Sequence, residues 1–149
     1  MKVIFLDIDG VMVTWHSKVS DKHENMAFDD NAVENLKHII EHTGAKIILS
    51  STWRVGRTLR YTKHKIFSHY GLDEYLIDQT PFNGFEVERG TEIREWLQNN
   101  DVDSFVIIDD DGDMCELINS LVRTSAVYGL TKQLAERCIS ILNSVDKSK

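Results

Sequence analysis

Two acidic clusters carry the strongest chemical signal in this chain. The first is Asp7-Ile8-Asp9-Gly10-Val11, directly after the apolar run Val3-Ile4-Phe5-Leu6. Residues two apart on an extended chain face the same way, so Asp7 and Asp9 lean towards one site. Gly10 allows a sharp turn behind them. The second is Asp109-Asp110-Asp111-Gly112-Asp113, directly after Phe105-Val106-Ile107-Ile108. Taken alone, each reads as a solvated acidic turn, with Asp113 capping the helix that follows. Taken together they predict more. If the two preceding strands are neighbours, at least three carboxylates converge. At an effective dielectric of about 20, each pair of like charges about 4 Å apart costs about 4 kcal/mol. A domain has only about 5–15 kcal/mol of net stability to set against this. Such repulsion calls for a bound divalent cation, and an all-oxygen donor set with room for water favours Mg²⁺.

A third group, Ser50-Ser51-Thr52-Trp53-Arg54, follows the run Lys46-Ile47-Ile48-Leu49. Hydroxyls and free backbone N–H groups at a strand-to-helix junction bind phosphoryl oxygens, or simply cap the helix. Beyond it stand Arg54, Arg57, Arg60, Lys63 and Lys65 with no acid between them, in a chain of net charge −7. This stripe reads equally as a contact for a phosphate-rich substrate and as charge balance. Arg89, before Gly90-Thr91-Glu92-Ile93, brings a further cation to the site or is an ordinary surface arginine.

The elements that must position these groups follow from periodicity. Continuous apolar runs at 3–6, 46–50 and 105–108 predict strands buried on both faces, with shorter strands at 75–77 and 125–128. Between them lie helical patterns. Asp29-Asp30-Asn31 caps a helix with Val33, Leu36, Ile39 and Ile40 on one face, closed by Gly44. A second carries Leu59, Ile66, Phe67 and Tyr70 and ends at Gly71; others span 91–99 and 114–121. The last starts at Gly129-Leu130-Thr131, and 80–90 reads as loop. Alternating strands and helices predict an α/β fold, a three-layer α/β/α sandwich with a mostly parallel sheet. Ligands in such sheets bind at the carboxyl ends of the strands, near the switch in strand order. The acidic clusters and Ser50 all stand at such ends.

Composition sets outer bounds. The 149 residues, 42% hydrophobic and 28% charged with one proline, predict one globular domain over 1–145 and a polar tail at 146–149. A net charge of −7 argues against a generally basic nucleic-acid coat, though not against a local basic patch. Cys115 and Cys138 lack metal-ligand spacing and predict reduced core thiols. His38 and His42, one helical turn apart, predict a solvated face rather than a metal site. The first apolar run meets an acid after four residues, too short for a leader or a membrane span. A soluble cytoplasmic protein is expected, without membrane contact and with its oligomeric state open.

Asp7-Ile8-Asp9-Gly10-Val11, Ser50 and Asp109-Asp110, in this order, resemble the haloacid dehalogenase-like (HAD) superfamily across essentially the whole chain. Leu49-Ser50-Ser51-Thr52-Trp53-Arg54, Arg89-Gly90-Thr91-Glu92-Ile93, Asp109-Asp110-Asp111 and Gly129-Leu130-Thr131 resemble the small HAD domains of Swiss-army-knife RNA-repair proteins. Met12 stands where relatives often carry Thr, Leu or Ile.

The resemblance implies a HAD-type Rossmannoid sheet and a phosphatase acting through an aspartyl-phosphate. Asp7 is then the nucleophile, and Asp9 the acid and base. Ser50 or Ser51 holds the phosphoryl group, with Gly10 lining the substrate site. Arg89 or Arg54 stabilises its charge. Mg²⁺ is implied at Asp7, the Asp9 carbonyl, and Asp109 or Asp110.

Relatives usually carry an inserted cap domain. The intervals 13–29 and 54–89 leave no room for one, so a capless, open site is expected. That favours a nucleotide or nucleic-acid terminal phosphate over a sugar phosphate or phosphoprotein; Trp53 and Trp15 each read as a packing residue or as a surface on which a base stacks. The rivals are a HAD-like domain that binds phosphate or a partner without turnover, and a receiver-type phosphoacceptor. The latter needs its acceptor Asp after a middle strand that here ends in Ser50.

Overall fold

Continuous apolar runs become strands that need cover on both faces. The computed structural model describes residues 1–144, so the expected tail at 146–149 lies outside the described residues. In chain order the elements are β1 (Lys2–Leu6), α1 (Asp30–Thr43), β2 (Lys46–Leu49), α2 (Leu59–Lys65) and β3 (Leu76–Gln79). Then come α3 (Arg89–Gln98), β4 (Ser104–Asp109), β5 (Leu121–Arg123) and α4 (Lys132–Asn143). The sheet runs β3-β2-β1-β4-β5 and every pair is parallel. The chain steps outward from β1 through β2 and β3, then returns to the other side of β1 for β4. The switch in strand order therefore falls between β1 and β4, where the sequence places its acids.

Alternation along each strand divides the core between two layers. Ile4, Leu6, Ile47, Leu49, Val106 and Ile108 share one cluster with Leu36 and Ile39 of α1 and Ala135, Cys138 and Leu142 of α4. Val3, Phe5, Ile48 and Ile107 share the other with Ile93 and Trp96 of α3. Phe5 meets Trp96 and Phe105 edge-on, with ring centroids 5.5 and 5.8 Å apart. Burying each such side chain contributes about 1.5–3 kcal/mol, which holds β1 central whatever its charged end does. Helix α1 has the expected ends. The Asp29 carboxylate accepts from the Asn31 and Ala32 N–H groups, and Gly44, at φ 70°, closes the last turn.

Four expectations need correction. The segment predicted as a helix at 114–121 is a 3₁₀ run, Cys115–Ser120, with Cys115 itself at φ 52°. Cys115 is consequently part-exposed rather than a core thiol, while Cys138 is buried as predicted. The strand predicted at 125–128 is displaced to β5. Residues 125–129 instead turn, the Gly129 N–H donating to the Ser125 carbonyl at 2.7 Å. The helix predicted up to Gly71 is α2 followed by a separate 3₁₀ turn, Phe67–Tyr70. Among the described residues, no helix is long and apolar enough to cross a membrane.

Candidate functional site

The register of the central strands sets the acids side by side. Leu6 pairs with Ile108, the Asp7 N–H donates to the Ile108 carbonyl at 3.1 Å, and the Ser50 N–H donates to the Leu6 carbonyl at 3.0 Å. Carboxylate oxygens of Asp7, Asp109 and Asp110 lie within 4.8 Å of one another. Among the described residues no other three His, Cys, Asp or Glu side chains gather this closely. Asp7 and Asp109 are buried, whereas Asp110 is half-buried against the β1 loop. Gly10 makes that approach feasible. Its φ is 83°, and a Cβ there would lie 2.2 Å from Asp110 Oδ2. The Gly10 amide already donates to the Val13 carbonyl at 2.8 Å, so its part is to give room rather than a hydrogen bond.

Arg89, the first residue of α3, reaches this cluster. Its Nη1 lies 2.8 Å from Asp109 Oδ2 and 3.1 Å from Asp7 Oδ1. Asp113 aims it. The Arg89 N–H donates to Asp113 Oδ2 at 3.1 Å and the Gly90 N–H to the Asp113 carbonyl at 3.0 Å. A Cβ on Gly90 would meet the Met114 backbone at 2.3 Å, so the start of α3 sits hard against this loop. Asp113 thus anchors the helix before it in sequence, not one after it.

Burial, reinforced by the Asp109 charge, pushes the Asp7 carboxyl well above the usual carboxylate range, against the pull of Arg89. Burial raises Asp109 as well, again opposed by Arg89. For Arg89 burial works against the charge, but the fields of Asp7 and Asp109 outweigh it and its pKa is raised. Three acids and one arginine leave a formal surplus of two negative charges.

The two serines separate clearly. Ser51 Oγ accepts the Trp53 N–H at 3.1 Å and caps the 3₁₀ turn Thr52–Arg54. Ser50 Oγ is buried without a hydrogen-bond partner. A buried hydroxyl left unpaired costs about 1–3 kcal/mol. Three more unpaired buried atoms, Gln79 Oε1, Thr80 Oγ1 and Asp113 Oδ1, also lie at or just beyond strand carboxyl ends.

Arg54 corrects an expectation. Its side chain is 2% exposed, and each of its five N–H groups meets an acceptor. These are the carbonyls of Ser50 (3.0 Å), Ser51 (2.7 Å), Thr80 (3.0 Å) and Pro81 (3.1 Å), and Glu92 Oε1 (2.7 Å). No donor remains for a substrate. Glu92 also accepts the Asn83 N–H at 2.7 Å, so the pair ties the β2 and β3 exits to the first turn of α3. Nothing in the sequence marks Glu92 as its partner. The rest of the basic stripe is dispersed: Arg57 pairs with Glu24 at 3.2 Å, while Arg60 and Lys65 are exposed on α2. Asp9 is exposed, and Trp53, read as a packing residue or a stacking surface, is the former: it is 6% exposed with its indole N–H on Asp9 Oδ1 at 3.2 Å.

The donor set fits a small divalent cation. It is all oxygen, converges from three carboxylates, and carries a charge surplus that such an ion would neutralise. A cavity of about 480 Å³ lined by Lys37, Glu41, Lys46 and Tyr75 lies at the amino end of β2 and contains none of these acids. Chemistry, not volume, locates the site.

No curated protein matches the chain. Residues 3–135 match the family described as the HAD domain in Swiss Army Knife RNA repair proteins. HAD domains are generally hydrolases of the phosphatase type and typically depend on Mg²⁺. The match spans the parallel sheet and every acid and base of the cluster, and the chain belongs to this family of small HAD domains.

Proposed function

We propose that the protein is a Mg²⁺-dependent phosphatase that hydrolyses a phosphate monoester through an aspartyl-phosphate on Asp7. The convergence of Asp7, Asp109, Asp110 and Arg89 beside the unpartnered Ser50 hydroxyl carries this reading. In the first half-reaction an Asp7 carboxylate oxygen attacks phosphorus and the bond to the alcohol oxygen breaks. Asp9 gives that oxygen a proton. In the second half-reaction Asp9 takes a proton from water as the water attacks phosphorus. Inorganic phosphate leaves and Asp7 is restored. Ser50 Oγ–H donates to a phosphoryl oxygen, and Arg89, already beside Asp7, balances the charge that develops there. Asp7, Asp109, Asp110 and the Asp9 carbonyl would hold the ion. When bound, Mg²⁺ shields the attacking carboxylate from the substrate's negative charge.

The preferred substrate is a terminal phosphate on a nucleotide or nucleic acid. Trp15, Phe85 and Tyr128 are 77%, 78% and 68% exposed on loops beyond strand carboxyl ends, surfaces on which a base can stack. The Trp15 N–H donates to the Ala126 carbonyl at 3.1 Å, which brings the first of these loops to the last. Two free cysteines accord with a cytoplasmic protein.

Hydrolysis of p-nitrophenyl phosphate with Mg²⁺, and its loss on chelation, is the first test. Asp7→Asn should abolish turnover while leaving thermal unfolding intact; appreciable residual activity would refute the nucleophile. Parallel assays on 3′- and 5′-phosphorylated oligonucleotides, sugar phosphates and phosphopeptides then decide the substrate. Preference for either of the last two overturns the nucleic-acid reading.

A further inference from the structure

Trp53 lies in the 3₁₀ turn directly after Ser50 and Ser51 and is 94% buried. Its ring packs against Phe28, with centroids 5.9 Å apart. A buried indole N–H needs an acceptor, and this one donates to a carboxylate oxygen of Asp9 at 3.2 Å. The turn itself is firmly held. The Trp53 N–H is fixed on Ser51 Oγ, its carbonyl accepts from Arg57 at 3.3 Å, and Arg54 grips the Ser50 and Ser51 carbonyls. Asp9, by contrast, is an exposed side chain on a loop with two rotatable bonds. One short segment, Ser50 to Trp53, therefore carries both the Ser50 hydroxyl and the donor that restrains Asp9.

The geometry points to Trp53 as the positioning residue for Asp9: its indole N–H holds Oδ1, leaving Oδ2 to carry the proton exchanged with the leaving group. This rests on the phosphatase reading. As the phosphorus–oxygen bond breaks, the proton passes from Asp9 Oδ2 to the departing oxygen and Asp9 becomes a carboxylate. The bond from Trp53 strengthens as that charge appears, so it favours the transition state over the ground state. Its worth depends on the leaving group. An alkoxide must be protonated as it leaves, whereas p-nitrophenolate departs well without help.

Trp53→Phe keeps an aromatic ring, though a smaller one, and deletes the donor. It should lower the single-turnover rate of alcohol release from an alkyl phosphate such as a nucleoside 5′-monophosphate by about tenfold, a fraction of what general acid catalysis supplies. On p-nitrophenyl phosphate it should lower the single-turnover rate of nitrophenolate release, which reports the first half-reaction alone, by less than about twofold. In an Asp9→Asn background the same substitution should add almost nothing, because the two side chains act as one unit. Equal losses on both esters, or full additivity, would overturn the positioning role. A wild-type protein inert towards both esters overturns the phosphatase reading as well, a result distinct from equal losses in an active enzyme.

A spectroscopic measurement stands apart from turnover and from the folding of the Trp53 variant. In ¹H–¹⁵N spectra the Trp53 indole resonance should move on Asp9→Asn. The indole of Trp96, which donates to Asp78 at 2.8 Å, should stay in place. A Trp53 resonance that does not respond sinks the proposal.

Discussion

Arg54 and Arg89 are both largely buried cations at the carboxyl edge of the same sheet, and they do opposite work. Arg54 has one fixed protein acceptor for every N–H, four of them backbone carbonyls. Burial lowers its pKa. Arg89 faces two buried carboxylates that crowd each other, and their fields raise its pKa despite burial. A guanidinium whose donors are all matched by fixed protein acceptors is architecture: it ties the two loops that leave β2 and β3 to the first turn of α3. One balanced against surplus negative charge is poised to meet a ligand. Charge and burial alone do not distinguish the two; the inventory of acceptors does.

The comparison can be broken by removing each arginine in turn. Arg54→Met strands Glu92 and four carbonyls, and should cost about 3–5 kcal/mol of stability. Denaturant titration should find that loss equal with and without Mg²⁺. Arg89→Met should lower kcat by about 10²–10³-fold, the range for deleting one preorganised transition-state donor. Its stability loss should appear only in chelator, because Mg²⁺ can take over the balance of Asp7 and Asp109. If Mg²⁺ rescues both variants alike, the two arginines are not different in kind.

Smaller changes sharpen the contrast. Gly10→Ala forces a side chain into the left-handed region, at about 1–2 kcal/mol, and pushes against Asp110. The rise in Tm that Mg²⁺ produces in the wild type should shrink in this variant; an undiminished rise would show that Asp110 is not part of the ion's site. The smallest effect concerns the thiols. Burial pushes Cys138 up to about 12, so at pH 8 it should resist alkylation in the folded protein while the part-exposed Cys115 reacts. Mass spectrometry of labelled peptides over time reads the difference, and equal rates would mean that α4 opens readily.

Much of the site was legible because strand ends are. The runs before Asp7, Ser50 and Asp109 are continuous and β-branched, and a parallel sheet puts their exits on one edge. The roles of Arg54 and Asp113 were not legible. Acceptors for Arg54 come from three separated segments, and no local pattern reveals that they converge on one side chain. Asp113 reads forward as a helix cap, yet tertiary contact turns it back onto α3. The apolar spacing around Leu117 mimics a helix, but Gly90 packed on the Met114 backbone and Cys115 at positive φ hold the chain in a tighter coil. At β5 two apolar residues, Leu121 and Val122, are too short a run to outweigh the Ser125-Ala126-Val127-Tyr128 pattern that follows.

The pairing of Lys2 with Ser104 has a consequence for biosynthesis. One edge of the innermost strand stays bare until the ribosome has delivered β4, and the chain must then close a very long loop to cover it. Asp7 and Asp9 emerge first yet have no acidic neighbours to work with until Asp109 arrives. A nascent or truncated polypeptide ending before β4 therefore holds Asp7 but lacks the Asp109 and Asp110 carboxylates that complete the cluster, which forms late and all at once.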